Sequence, residues 1–186
     1  DSSTFITQAD TIPNNPLHEH GAFFLIKQNP YKKIAKEDLL FKDYSGFPGI
    51  LAGELPAYPL NLGYYGHYNH FSLFGGMPSD VSFRLNGRPL DDLLYGTLNP
   101  AQLQTEAYEN IEIYTGSDAV IFSDNASSAF INLQEMRFNT KHPYTKLWYS
   151  QAGYEFISAD VIFAQNFAKD WNFNLGIRRQ AGDGRF

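Results

Sequence analysis

The chain has no cysteine, which removes disulfides, thiolate metal sites and a cysteine nucleophile together. It also has no apolar run of 18 residues, so no transmembrane helix can form. That absence says nothing about barrel strands, which alternate polar and apolar residues and leave little hydropathy signal; the mean hydropathy of −0.35 is therefore undiagnostic. Basic charge is scarce, with 14 Lys and Arg against 20 Asp and Glu and a net charge of −6. A nucleic-acid partner, which needs a basic face to neutralise phosphates, is not expected. No Gly-x-Ser-x-Gly elbow, P-loop or dinucleotide fingerprint occurs, so catalysis and a bound cofactor lack support. The Asp91-Asp92 pair follows a proline turn and reads as solvated turn residues.

Aromatic residues are abundant at 16%, and Gly and Asn are frequent, a mixture that favours strands and turns. At 186 residues there is room for one domain with a sizeable core, or for a domain with an appendage. Residues 1–21, with Pro13 and Pro16, read as an extended lead-in, and residues 22–27 as a short apolar strand. Residues 36–42 suit a short helix, acidic in its first turn through Glu37 and Asp38 and ended by the Gly46 and Pro48 region. Residues 52–80 interleave Gly, Pro, Tyr and His without a period, and imply a long loop or several short strands. Asn99, Pro100 and Gln102 make a capped helix start, with the helix expected to run to about Tyr108 and lead into a strand at Ile111.

Further on the period becomes two. Ile157, Ala159, Val161, Phe163, Gln165 and Phe167 alternate with Ser158, Asp160, Ile162, Ala164 and Asn166, one face largely apolar and the other mixed, and Trp171, Phe173, Leu175 and Ile177 alternate with Asn172, Asn174, Gly176 and Arg178. Only residues 168–170 separate the two runs, so they form a hairpin with one greasy face. Residues 144–154 supply a preceding strand of poorer alternation. On periodicity alone, a soluble antiparallel sheet covered on one face is the commoner home for such a pattern.

Residues 109–133 carry the most specific signal. Two alternating strands, one with Ile111, Glu112 and Ile113 and one closing on Ile131 and Asn132, flank a small-residue turn with Gly116, Ser117, Ala119 and Phe122. Upstream, Val81, Phe83 and Leu85 precede an Asn86-Gly87 turn and Pro89. In this order the two motifs resemble the plug domain of TonB-dependent outer-membrane receptors, over roughly residues 36–141. The chain departs from that pattern at Phe122-Ser123, at Ser127-Ser128-Ala129, and at Leu73 to Gly76, where the family has an arginine.

The resemblance implies an α+β plug, a small mixed sheet with short helices, at residues 22–141. The first antiparallel strands of a transmembrane β-barrel would follow at 142–186. The barrel is incomplete in this chain, because bacterial single-chain barrels begin at about 8 strands and an open edge in lipid leaves backbone groups unpaired. The expectation is therefore a portion of a longer protein. Val161, Phe163, Phe173 and Leu175 would face lipid, with Asp160, Asn166, Asn172 and Arg178 inward. The implied function is plug-gated uptake of a small solute across the bacterial outer membrane, the plug facing the periplasm and the barrel lumen, with a TonB-type energy-transducing protein as partner. The alternative is a structural or interaction module that adds strands 144–180 to the sheet edge of another outer-membrane or periplasmic subunit.

Two candidate sites remain. Tyr58, Tyr64, Tyr65, His67, Tyr68, His70 and Phe71 form an aromatic cluster that could line a solute-binding loop, Tyr64, Tyr65, His67, Tyr68 and His70 being the ligand contacts. Packing against the wall is the competing and commoner fate of such rings. His67 and His70 have the spacing of a metal pair, and His18 and His20 could add ligands, but the surrounding glycines spoil the helix such a pair needs, so no metal site is expected. Asp10, Thr11 and Ile12 are similar to the short box through which these receptors contact their energy transducer.

Overall fold

The computed structural model describes residues 29–183 apart from 40, 41, 43, 45, 61–68, 95, 137–141, 152, 154, 169 and 170. The lead-in and the strand expected at 22–27 lie outside these residues. The architecture is the α+β unit followed by antiparallel strands that the sequence implies. A five-stranded mixed sheet has the order β1 (Lys32–Ala35), β6 (Tyr108–Thr115), β7 (Ala129–Glu135), β4 (Val81–Leu85), β5 (Arg88–Pro89). A hairpin of β2 (Ala57–Leu60) and β3 (His70–Leu73) stands beside it, so the described part of the irregular stretch holds two short strands, together with a helix end at residues 52–54 and a 3-10 turn at Pro78–Asp80 that were not expected. Three antiparallel strands follow, β8 (Tyr144–Gln151), β9 (Ile157–Ala168) and β10 (Trp171–Ala181), in the order β10-β9-β8.

Alternation explains the core. Ile113 lies opposite Ile131 in the antiparallel β6–β7 pair, and Phe83 lies opposite Ile131 in the parallel β4–β7 pair. One sheet face thus collects Val81, Phe83, Ile111, Ile113, Ile131 and Leu133. Phe83 meets Phe47 and Phe71 edge-on at 6.1 and 5.8 Å, closing the core between the sheet, a helix and the hairpin. The motif residues are joined physically as well. Gly87 N donates to Asn132 Oδ1 at 3.3 Å, and Asn132 Nδ2 donates to Glu112 Oε2 at 3.1 Å, so one amide ties the β4–β5 turn to the central strands. Asn86 and Gly87 have φ of 49° and 82°, the two left-handed residues of a tight hairpin turn.

Several expectations are corrected. The helix expected at 36–42 is described only as α1 (Lys36–Leu39), where Ala35 N donates to Asp38 Oδ2 at 2.9 Å. Far from ending helical structure, Pro48 opens a second helix, α2 (Phe47–Glu54), because a proline in the first turn lacks only an N–H that would have no partner there. Between β6 and β7 the turn expands into α3 (Ser117–Phe122), entered through Gly116 at a φ of 62°. Asn99 caps as expected, its Oδ1 accepting from Ala101 N at 3.1 Å. The single helix after it is two 3-10 turns, Pro100–Gln102 and Thr105–Ala107. The break lets Leu103 bury and Gln104 turn toward the three-stranded sheet. Asp91 is no solvated turn residue, since it accepts from Ser82 Oγ at 2.9 Å and Phe83 N at 3.1 Å.

In the three-stranded sheet the inside and outside are exchanged. Ser158, Asp160, Ile162 and Ala164 of β9 are buried, while Leu147, Tyr149, Phe173, Leu175 and Ile177 are exposed on the opposite face. The greasy side of the β9–β10 hairpin points away from the other described residues.

Candidate functional site

The buried face of the three-stranded sheet meets the segment between β5 and β6. Two adjacent cross-strand rows make the contact, Lys146–Ile162–Gly176 and Trp148–Asp160–Arg178. Across them lies the segment with the two 3-10 turns, held there by groups that strand alternation aims inward. Arg178 donates through a guanidinium nitrogen to the carbonyl of Leu103 and pairs with Asp160 at 3.6 Å, Nε to Oδ1. Lys146 Nζ pairs with Glu106 Oε2, and the other oxygen of Glu106 accepts from the hydroxyl of Tyr44. The Tyr44 ring stacks on Trp148, with centroids 5.9 Å apart and planes within 4°. Lys36, from α1, lies 5.2 Å over the Tyr144 ring and 3.1 Å from Met136 Sδ.

These contacts remove charge from water in balance. Glu106 and Asp160 are 4% and 2% exposed, and each faces a cation, Lys146 and Arg178 respectively. Burial of an unpaired carboxylate would cost several kcal/mol, so the pairs hold each other in place. Burial first, then the hydrogen bond to Glu106 and its charge together with that of Asp160, hold the Tyr44 phenol well above its ordinary range. It therefore stays protonated and remains a donor at physiological pH. Nothing in this cluster is arranged as a nucleophile with a base. It is built for attachment.

Of the residues singled out from the sequence, Tyr64, Tyr65, His67 and Tyr68 lie outside the described residues, as do Asp10, Thr11, Ile12, His18 and His20. His70 opens β3 opposite Leu60, half-buried. Phe71 packs in the core, whereas Tyr58 is exposed on the neighbouring strand. Among the described residues no three His, Asp or Glu side chains come together as a metal site. Sequence reading missed Tyr44, Gln104, Glu106, Lys146 and Trp148. Only Gly176 carried a local signal, since a glycine inside a strand marks close approach of another group.

No family model matches the sequence, and no curated protein matches it. Solved structures do match in fold. The siderophore receptor PirA from Acinetobacter baumannii is 18% identical with a TM-score of 0.60, over 80% of this chain and 24% of its own. The alcaligin outer-membrane receptor FauA from Bordetella pertussis is 17% identical with a TM-score of 0.61, over 84% of this chain and 27% of its own. The copper transporter OprC is 15% identical with a TM-score of 0.53, over 71% of this chain and 21% of its own. The chain thus has the fold of the plug and first wall strands of TonB-dependent receptors, and spans about a quarter of the length of the solved chains it matches.

Proposed function

We propose that residues 22–141 are the plug, and residues 142–186 the opening wall strands, of an outer-membrane receptor of the TonB-dependent type that takes up a small solute without a chemical step. The observation that carries this reading is the exchanged burial of the three-stranded sheet, with Asp160 and Ser158 inside and Leu147, Phe173, Leu175 and Ile177 outside. Water disfavours that arrangement and lipid favours it, because a membrane barrel alternates an apolar outer face with a polar interior. The cluster at Glu106 and Leu103 then fixes plug to wall. Solute capture on outward plug loops, with Tyr64, Tyr65, His67, Tyr68 and His70 as contacts, precedes a partner-driven rearrangement that loosens it. Asp10, Thr11 and Ile12 would engage a TonB-type energy transducer from the periplasm. The similar receptors named for siderophores, and the copper transporter, make a metal chelate or metal ion the first solute class to try.

The test uses the full-length protein in cells, with outer-membrane fractionation and uptake of labelled ferric siderophores and copper. Recovery in the outer membrane, with uptake abolished in a Tyr65→Ala/Tyr68→Ala variant of unchanged melting temperature, is expected. Recovery as a folded soluble monomer overturns the reading. The alternative of strand addition to another protein draws on β8 and β10, each paired on one side only among the described residues. It requires a stable complex with a second protein in the same fractions.

A further inference from the structure

The plug segment is held by an ion pair from Lys146 to Glu106 and a hydrogen bond from Arg178 to the Leu103 carbonyl, both made by long side chains whose rotatable stems can follow a shift of the segment. They hold it down but do not say where it must sit. Between them Gln104, which also faces the buried Asp160, makes a steric contact with Gly176. Gly176, in the interior of β10, has no side chain, and the side chain of Gln104 occupies the space a Cβ would take: such an atom would lie 2.7 Å from Gln104 Oε1 and 3.2 Å from Nε2. Gln104 sits between the two 3-10 turns, next to Leu103, whose carbonyl accepts from Arg178. Arg178 is two residues from Gly176 on the same face of β10, and Lys146 belongs to the row of Gly176. A side-chain-free position of the wall and a side chain from the plug therefore meet between an ion pair and a hydrogen bond.

We propose that Gln104 seated over Gly176 is the register key of the plug, the contact that fixes where along the wall the 103–106 segment docks. This rests on the plug-and-wall reading and adds a positioning pair to it. Because the clashing atoms are the far end of a flexible side chain, a methyl group at 176 would displace Gln104 rather than unfold the strand. A branched side chain would push the segment off its register.

The experiment is a double-mutant cycle on the full-length protein in planar bilayers, with protease cleavage of the plug as a second readout. Gly176→Val is expected to raise leak conductance about tenfold and to expose the plug to protease, with Gly176→Ala intermediate. In a Gln104→Ala background, Gly176→Ala should add nothing further. Gly153→Ala, where a Cβ meets nothing within 4 Å, should behave as the parent. Additive effects of Gly176→Ala and Gln104→Ala, or a Gly176→Ala variant with parental leak and cleavage, would overturn the key. Should the parent protein prove soluble, the transport reading falls, and the same cycle read as melting temperature still decides the pair.

Discussion

In the five-stranded sheet Ile111, Ile113 and Ile131 are at most 1% exposed, while in the three-stranded sheet Leu147 and Ile177 are 70% and 55% exposed and Asp160 is 2%. Both sheets alternate, but the first buries its apolar face, whereas the second buries a mixed face, Ser158 and Asp160 beside Ile162 and Ala164, and leaves its apolar face exposed. The first sheet finds its apolar partners in α2 and in the β2–β3 hairpin. The second turns its charged half to the plug segment, and no described residue covers its apolar half. The contrast teaches that the polarity of a face does not by itself say which way the face points. The medium on each side does, and for β8 to β10 the proposed outer medium is lipid.

The contrast can be broken most forcefully at the buried charges. Lys146→Met removes the cation that faces the buried Glu106 and leaves the Tyr44 hydroxyl on its other oxygen, and should destabilise the plug–wall unit by about 3–5 kcal/mol in denaturant unfolding. Adding Glu106→Gln should recover much of that loss, because removing both charges removes the uncompensated one. If the single variant unfolds like the parent, the charged half of the second sheet is not truly buried.

Next in size is the core of the first sheet. Ile113→Ala should cost about 2–5 kcal/mol, since the site is fully buried and surrounding side chains relax only partly into the space of the deleted atoms. A parental melting curve would place Ile113 outside the core.

Phe163→Arg sharpens the contrast from the outer face. Near the bilayer midplane it should cost about 2–4 kcal/mol and lower the yield of assembled protein in the outer membrane, as seen by heat-modifiable migration on a gel. A soluble, folded and monomeric Phe163→Arg variant would instead show that this face meets water.

The smallest effect is expected at Asp91. Burial raises its carboxyl above the usual range, against the opposing hydrogen bonds from Ser82 and Phe83 and the charge of Arg84. The folded state thus favours the protonated form, and this group's contribution is fully present below the unfolded value of about 3.9 and declines as pH rises through the higher folded one. Asp91→Asn should remove that decline, so that the stability of variant and parent converge in acid and separate, in favour of the variant, toward neutral pH. A difference that stays constant with pH would contradict it.

What the sequence determined by itself is local. Period-two alternation placed β6, β7, β9 and β10, the Asn86-Gly87 pair placed a tight turn, and Asn99 placed a cap, because side-chain direction, left-handed backbone and capping depend on a few neighbouring residues. Tertiary structure decided the rest. Pro48 could end one helix or begin the next, and the burial of Phe47, Ile50 and Leu51 in the core chose the second. The stretch after Asn99 could continue as one helix, and the docking of Leu103, Gln104 and Glu106 on the wall split it in two. Glu106 looks like any surface carboxylate until Lys146, 40 residues later, and Tyr44, 62 residues earlier, close over it. Such partners meet only after chain segments far apart in sequence have packed, so no local pattern could name them.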